Sequence, residues 1–200
     1  MTERRPGAPP PDDVEHPDLS GPAPAAVFGR LFDEHAAALH RYLARRVGTS
    51  TADDLVSETF LTALTRRHSY DPARAGVRSW LYGIATNLLR NHVRAEVRGY
   101  QATARALGAS AGHEEGHDGR VAARVDAETA TRGLAAALAR LADGDRDVLL
   151  LTSWAGLSAT EVAEALGIPV GTVRSRLHRA RRWLRTNAPN PMTEQEDTDD

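Results

Sequence analysis

The chain has 200 residues and a formal net charge of −2, from 25 basic residues, all of them Arg, against 27 acidic ones. It contains no Cys, which excludes a disulfide framework and any Cys-based metal or redox site. No stretch approaches the 18 apolar residues of a membrane span, and no charged start is followed by the apolar segment of a secretory signal. We therefore expect a cytoplasmic protein with no membrane insertion.

The net charge conceals two basic regions. Residues 27–98 carry 11 Arg against 7 acids, and residues 158–185 carry 6 Arg against 2 acids. By contrast, residues 186–200 hold 5 acids and no Arg. Local positive charge governs nucleic-acid binding more than the charge of the whole chain does. Two separate nucleic-acid-binding modules are compatible with this pattern.

The first segment, residues 1–26, is rich in Pro and polar residues, which predicts a disordered N-terminal arm. Apolar residues then recur with a helical period over residues 27–46, and Gly48 marks the end of this first helix. A second helix is predicted over residues 52–67, because acids at its start and Arg at its end complement the helix dipole.

A loop over residues 68–77 precedes a third helix, predicted over residues 78–98. Arg neutralises phosphates, Asn can pair with base edges, and aromatic rings can stack on unstacked bases. On one face of this helix, Arg recurs every four residues and Asn residues lie next to it. Aromatic residues occur within the helix and in the preceding loop. The full set is Arg90, Arg94, Arg98, Asn87, Asn91, Tyr70, Trp80 and Tyr82. Simple core packing of Trp80 and Tyr82 is the alternative.

Residues 99–130 are rich in Ala and Gly and predict a flexible linker. They include a formal match to the zinc-protease pattern H-E-x-x-H at His113, Glu114 and His117. That pattern requires a stable helix, and neighbouring glycines interrupt one here. A solvated linker is strongly favoured over a metal site.

The C-terminal region begins with two predicted helices over residues 131–156. It then shows the pattern of a helix-turn-helix. Ser158 and Glu161 form a capping box at the start of a short helix that Gly167 ends. The next helix has an apolar stripe, with Arg off it: Val173, Leu177, Ala180, Leu184, Arg174, Arg176, Arg179, Arg181, Arg182 and Arg185. The second helix of such a motif enters the major groove. An ordinary helical hairpin with a solvated Arg face is the less favoured alternative.

The predicted fold is all-α, with two small helical domains joined by a flexible linker. The sequence contains no Gly-rich phosphate loop and no convincing catalytic or metal-binding arrangement. We therefore expect neither an enzyme nor a bound cofactor.

The two modules together resemble the extracytoplasmic-function (ECF) sigma factors of the sigma-70 family. LFDEHAAALHRYLARR and ADDLVSETFLTAL resemble the first two helices of region 2, RSWLYGIATNLLRNHVR resembles its promoter-melting helix, and LSATEVAEALGIPVGTVRSRLHRARRWLR resembles region 4. The resemblance implies region 2 at 27–98, the linker at 99–130 and region 4 at 131–186. An acidic disordered tail at 187–200 follows.

The resemblance also implies a function and its partners. Such a protein binds core RNA polymerase through the β′ clamp helices and the β flap, and directs promoter-specific initiation. Family members are often held inactive by an anti-sigma factor. The residues matching the polymerase contact of region 2 are Asp53, Asp54, Leu55, Glu58, Thr59 and Phe60. Core packing is the alternative for Leu55 and Phe60.

In the family, region 2 captures a flipped base of the melted −10 element and region 4 reads the −35 element as duplex. The matching −10 positions are Tyr70, Arg78, Asn87, Arg90 and Arg94. The matching −35 positions are Thr172, Arg174, Ser175, His178 and Arg179. His178 departs from the aromatic residue of some relatives, and Ala142 stands where Pro is common. A stand-alone helix-turn-helix regulator with a divergent N-terminal domain is the alternative function.

Overall fold

The computed structural model describes residues 15–21, 23–106 and 136–187, with side chains as far as Gly99 in the second range. Within these ranges all regular secondary structure is helical, which confirms the predicted all-α class. No helix in the described ranges is long and apolar enough to cross a membrane. The H-E-x-x-H match lies outside the described residues, as does the predicted acidic tail apart from Asn187.

Three long helices build the N-terminal domain: α1 (Pro24–Val47), α2 (Thr49–Thr65) and α3 (Val77–Ala106), with a short 3₁₀ turn at Arg67–Ser69. Helix α1 begins three residues earlier than predicted, because a Pro suits the first turn of a helix. Helix α3 continues eight residues past the predicted end at residue 98. The first part of the predicted linker is therefore helical.

The core of this domain lies between α1, α2 and α3. Leu39, Leu43 and Tyr42 of α1 are fully buried. The Tyr42 hydroxyl lies 3.2 Å from the hydroxyl of Thr86, and burial raises the pKa of Tyr42 to about 12. Leu19, which lies in the segment predicted to be disordered, is also only 2% exposed and belongs to this core. The prediction of a disordered arm therefore fails for the part of residues 1–26 that the structure describes.

The C-terminal domain contains a helical stretch at residues 136–140, then α4 (Asp143–Ser153), α5 (Ala159–Leu166) and α6 (Val170–Asn187). The predicted capping box is present: the Ser158 hydroxyl accepts from the Glu161 N–H, and the Glu161 carboxylate accepts from the Ser158 N–H. Gly167 ends α5 in the left-handed conformation, with a φ of 63°. Helix α5 thus has the limits that its local signals predicted.

The two domains pack against each other through α3 and α5. One continuous hydrophobic cluster runs from Leu39 and Leu81 of the N-terminal domain to Val162 and Val173 of the C-terminal domain. At the closest point, a Cβ built on Gly83 of α3 would lie 2.4 Å from the carbonyl oxygen of Ala165. Only glycine permits this approach, which the sequence alone did not predict.

Candidate nucleic-acid interface

Helix α6 presents one face to solvent and is anchored by the opposite face. Val173 and Ala180 are completely buried, and α6 packs against both α4 and α5. Arg174, Ser175 and His178 lie on the exposed face, as expected for a helix that reads a groove. The Ser175 hydroxyl donates to the Thr172 carbonyl at 3.0 Å, and Thr172 itself is half-buried.

Arg179, the fifth residue of the predicted −35 set, has a partner within the domain. Its Nε and Nη2 donate to the two carboxylate oxygens of Asp145 at 3.0 and 2.8 Å. These hydrogen bonds, with the charge of Asp145, raise the pKa of Arg179. The pair joins α6 to α4, so the structure gives Arg179 a role in fixing the position of α6. Arg174 has no ion-pair partner among the described residues.

The predicted −10 residues are divided between two environments. Asn87 is exposed on α3. Arg78, Arg90 and Arg94 are instead ion-paired with carboxylates of the C-terminal domain, namely Glu161, Asp147 and Asp143 in that order. The structure therefore places the three arginines in the interface between the domains.

Tyr70 packs against Trp80, with the ring centroids 5.1 Å apart. Tyr70 is buried, and its hydroxyl makes no hydrogen bond to the described part of the chain. Burial, reinforced by the nearby carboxylates of Asp71, Glu15 and Glu164, raises the pKa of Tyr70 to about 12. The two rings line an open cleft of about 630 Å³ between the loop before α3 and the helix-turn-helix.

Tyr82, by contrast, belongs to the core. It is 3% exposed and meets the Tyr42 ring edge-on at 5.4 Å. The stacking role considered for Tyr82 is thereby excluded in this conformation, and the core-packing alternative is correct for it.

The polymerase-binding set also requires correction. Asp53, Asp54 and Glu58 are exposed, but Leu55, Thr59 and Phe60 are buried. Leu55 and Thr59 lie four residues apart and so share the buried face of α2, where the Thr59 hydroxyl donates to the Leu55 carbonyl at 2.6 Å. These three side chains are not available for a surface contact.

Sequence reasoning missed two exposed apolar residues nearby. Leu61 is 65% exposed on α2, and Phe32 is 47% exposed on α1, with its ring 5.0 Å from that of Phe60. Leu61 follows Asp54 and Glu58 by seven and three residues, so the three share one helical face. This spacing was the signal that could have identified Leu61.

The described residues contain no group of three His, Cys, Asp or Glu side chains that could hold a metal ion. The arrangement is suited to binding: an exposed basic helix, an aromatic cleft, and an acidic face with an apolar centre.

Comparisons with known proteins agree with this geometry. Family models described as "Sigma-70 region 2" and "Sigma-70, region 4" match residues 31–99 and 131–184. The ECF RNA polymerase sigma factor SigL of Mycobacterium tuberculosis is 34% identical over 164 residues, which cover 82% of this chain and 89% of that protein. The RNA polymerase sigma factor CnrH of Cupriavidus metallidurans is 35% identical over 167 residues, covering 79% and 84%.

Solved structures show the same similarity. CnrH in complex with the cytosolic domain of CnrY matches with a TM-score of 0.56 and 29% identity, over 81% of this chain and 87% of that one. The sigma factor RpoE of Bartonella quintana, in complex with the anti-sigma factor NepR, also has a TM-score of 0.56. At 22% identity that second match supports the fold alone.

Proposed function

Because the chain belongs to the ECF sigma factors of the sigma-70 family and is an RNA polymerase sigma factor, we propose a role for each of its exposed surfaces. The exposed face of α6 reads the −35 duplex, α3 with the Tyr70–Trp80 cleft takes the melted −10 strand, and the acidic face of α2 binds core polymerase. The exposed Arg174, Ser175 and His178 on a helix anchored by its buried face are the observation that carries this proposal.

The domain limits follow the same proposal, with region 2 over residues 27–98 and region 4 over residues 131–186. In this proposal, the chain acts by binding and has no catalytic activity of its own. Its proposed location is the cytoplasm, where its polymerase is found. A stand-alone helix-turn-helix regulator is not favoured, because the N-terminal domain matches region 2 of the same family. Because CnrH was solved in complex with the cytosolic domain of CnrY, an anti-sigma partner is proposed here as well.

Run-off transcription tests the function directly. Purified chain added to active core polymerase and fragmented genomic DNA is expected to start transcripts at defined sites, which sequencing of the 5′ ends maps. Upstream of these sites, one shared duplex motif and one shared melted motif are expected at a constant spacing. Starts that are identical with and without the chain would contradict the proposal.

The acidic face of α2 yields a second prediction. Leu61→Asp is expected to weaken binding to core polymerase by about 5- to 30-fold, because covering an exposed Leu side chain contributes about 1–2 kcal/mol. Titration of labelled chain with core polymerase measures the effect. Val97→Asp provides the matched control, since Val97 is also an exposed apolar residue (49%) but lies on α3. Equal losses of affinity in both variants would show that the added negative charge alone, and not its position on this face of α2, weakens binding to core polymerase.

A further inference from the structure

A short segment ahead of α1 is part of the folded N-terminal domain. Residues 15–21, here called the N-terminal strap, bury Pro17 and Leu19 and leave the residues between and beside them exposed. Leu19 is only 2% exposed and belongs to the domain core. The Ser20 N–H donates to the Asp18 carboxylate at 2.8 Å, which closes a tight turn around Leu19. The match to region 2 begins at residue 31, so the strap lies outside it.

The strap contacts both ends of the loop that leads to α3. At the start of the loop, the Ser20 hydroxyl and His68 Nδ1 form a hydrogen bond of 3.3 Å. At its end, a Cβ built on Gly76 would lie 3.5 Å from Glu15 Cγ, so Glu15 lies directly beside Gly76. The strap therefore runs alongside the loop in the opposite direction. Five residues of strap reach at most ~18 Å, against ~29 Å for eight residues of loop, so the strap restricts how far the loop ends can separate.

The loop has few other long-range restraints. Within the described residues its hydrogen bonds join positions no more than four apart, such as the Tyr70 N–H to the Arg67 carbonyl at 3.2 Å, and the bond with Ser20 is the exception. Local bonds of this kind shape a turn but do not fix its position on the domain. That position depends on the strap and on the packing of Tyr70 against Trp80.

The loop held in this way carries the aromatic part of the proposed −10 site. Tyr70 lies between the two strap contacts, two residues after His68 and six before Gly76. With Trp80 it lines the open cleft. Stacking requires a base to meet a ring in a defined orientation, and a loop free to move would present Tyr70 in that orientation only part of the time. The apparent affinity of a site falls with the fraction of molecules in the competent conformation.

Resting on the proposed function, we propose that the N-terminal strap is a positioning element of the −10 site, in which Leu19 anchors the strap and Ser20 holds the loop. The strap acts through the loop and does not bind the melted strand itself. Its exposed Glu15 and Asp18 carry negative charge, which disfavours DNA phosphates along it. Leu19 and Ser20 are therefore positioning residues for Tyr70.

Four variants of the full chain separate positioning from stability. Leu19→Ala removes the anchor, and Leu19→Met restores an apolar side chain of similar volume. Ser20→Ala removes only the hydrogen bond to His68 and leaves the core intact, which keeps the test valid if Leu19→Ala does not fold. Leu39→Ala, at a fully buried position of α1, is the matched control for lost core packing. Thermal unfolding defines a temperature at which each variant is folded.

The first measurement is binding of the single-stranded non-template −10 oligonucleotide of a promoter mapped by run-off. Polymerase reconstituted with Leu19→Ala is expected to bind it roughly tenfold more weakly, and with Ser20→Ala roughly threefold more weakly. Oligonucleotides of unrelated sequence, which are held through phosphate contacts, should lose little affinity, so discrimination falls. Leu19→Met should restore discrimination, and Leu39→Ala should leave it unchanged. Binding to core polymerase should not change.

The hold of the strap on the loop can be measured without DNA. The chain has no Cys, so Ser57→Cys on α2 and Ala73→Cys in the loop, both at exposed positions, provide a spin-label pair. The distribution of distances between the labels should broaden in Leu19→Ala and Ser20→Ala and stay narrow in Leu39→Ala.

An unchanged distance distribution in both strap variants would overturn the proposal, as would unchanged binding of the oligonucleotide despite a broadened distribution. Tighter binding by Leu19→Ala would show that the strap screens the site instead of positioning it. An equal loss of discrimination in Leu39→Ala would reduce the strap to a contribution to stability. If polymerase with the parent chain does not bind the oligonucleotide, the proposed −10 role fails and the positioning role fails with it. The label distances, which need no DNA, distinguish that failure from a strap that does not hold the loop.

Discussion

Replacing Arg174 with alanine is expected to weaken binding to the −35 duplex by about 1–3 kcal/mol and to relax the choice of base at one position. Arg174 is exposed on the solvent-facing side of α6 and has no ion-pair partner among the described residues. A bidentate contact from Arg to guanine is the commonest specific contact in the major groove. Arg179, although predicted from the same motif, is already paired with Asp145.

The matched control for this prediction is Arg185→Ala, which removes the same charge from an exposed position in the last turn of α6. Binding is measured by titrating polymerase reconstituted with each variant against duplexes changed at single −35 positions. Arg185→Ala should weaken all duplexes to a similar extent or not at all. If Arg174→Ala also weakens every duplex uniformly, the side chain contacts phosphate only and reads no base.

Local signals predicted the C-terminal domain best. The limits of α5 follow from the Ser158–Glu161 capping box and from Gly167, each of which acts within a few residues of the chain. The stripe that buries Val173 and Ala180 was likewise visible as a helical period. Signals of this kind need no knowledge of the tertiary fold.

Contacts between distant residues could not be predicted in this way. Arg46 and Asp147 are 101 positions apart, and nothing in their local sequence indicates that they meet. Only the family resemblance placed Leu55, Thr59 and Phe60 in the polymerase-binding set, because a resemblance marks a helix but not which of its faces the core covers. The close approach at Gly83 is visible only once α5 is placed on α3.

The structure also changes the meaning of the arginine repeat on α3. As a sequence pattern it indicates a surface for phosphates. In the folded chain, Arg90 and Arg94 face Asp147 and Asp143 of α4. Asn87 is the −10 candidate that the structure leaves exposed on α3.

Asn87→Ala is therefore expected to impair formation of the open complex while leaving binding to core polymerase intact. Extracting a base from the stack costs a few kcal/mol, which hydrogen bonds to its edge and stacking must offset. An Asn contact to a base edge contributes about 1–3 kcal/mol, so the population of open complex should fall by about 5- to 150-fold. Permanganate reactivity of unstacked thymines in the −10 element, together with run-off yield, measures this loss.

Asn91→Ala removes the same amide from an exposed position one turn further along α3 and is the matched control. A promoter carrying a pre-melted −10 bubble separates the two steps in which Asn87 could act. If Asn87 contributes only to base extraction, the bubble should restore initiation by Asn87→Ala; if it also holds the captured base, part of the defect should persist. Normal permanganate reactivity and normal run-off on duplex promoters would remove Asn87 from the −10 site, whereas an equal loss in Asn91→Ala would assign the effect to the helix surface as a whole.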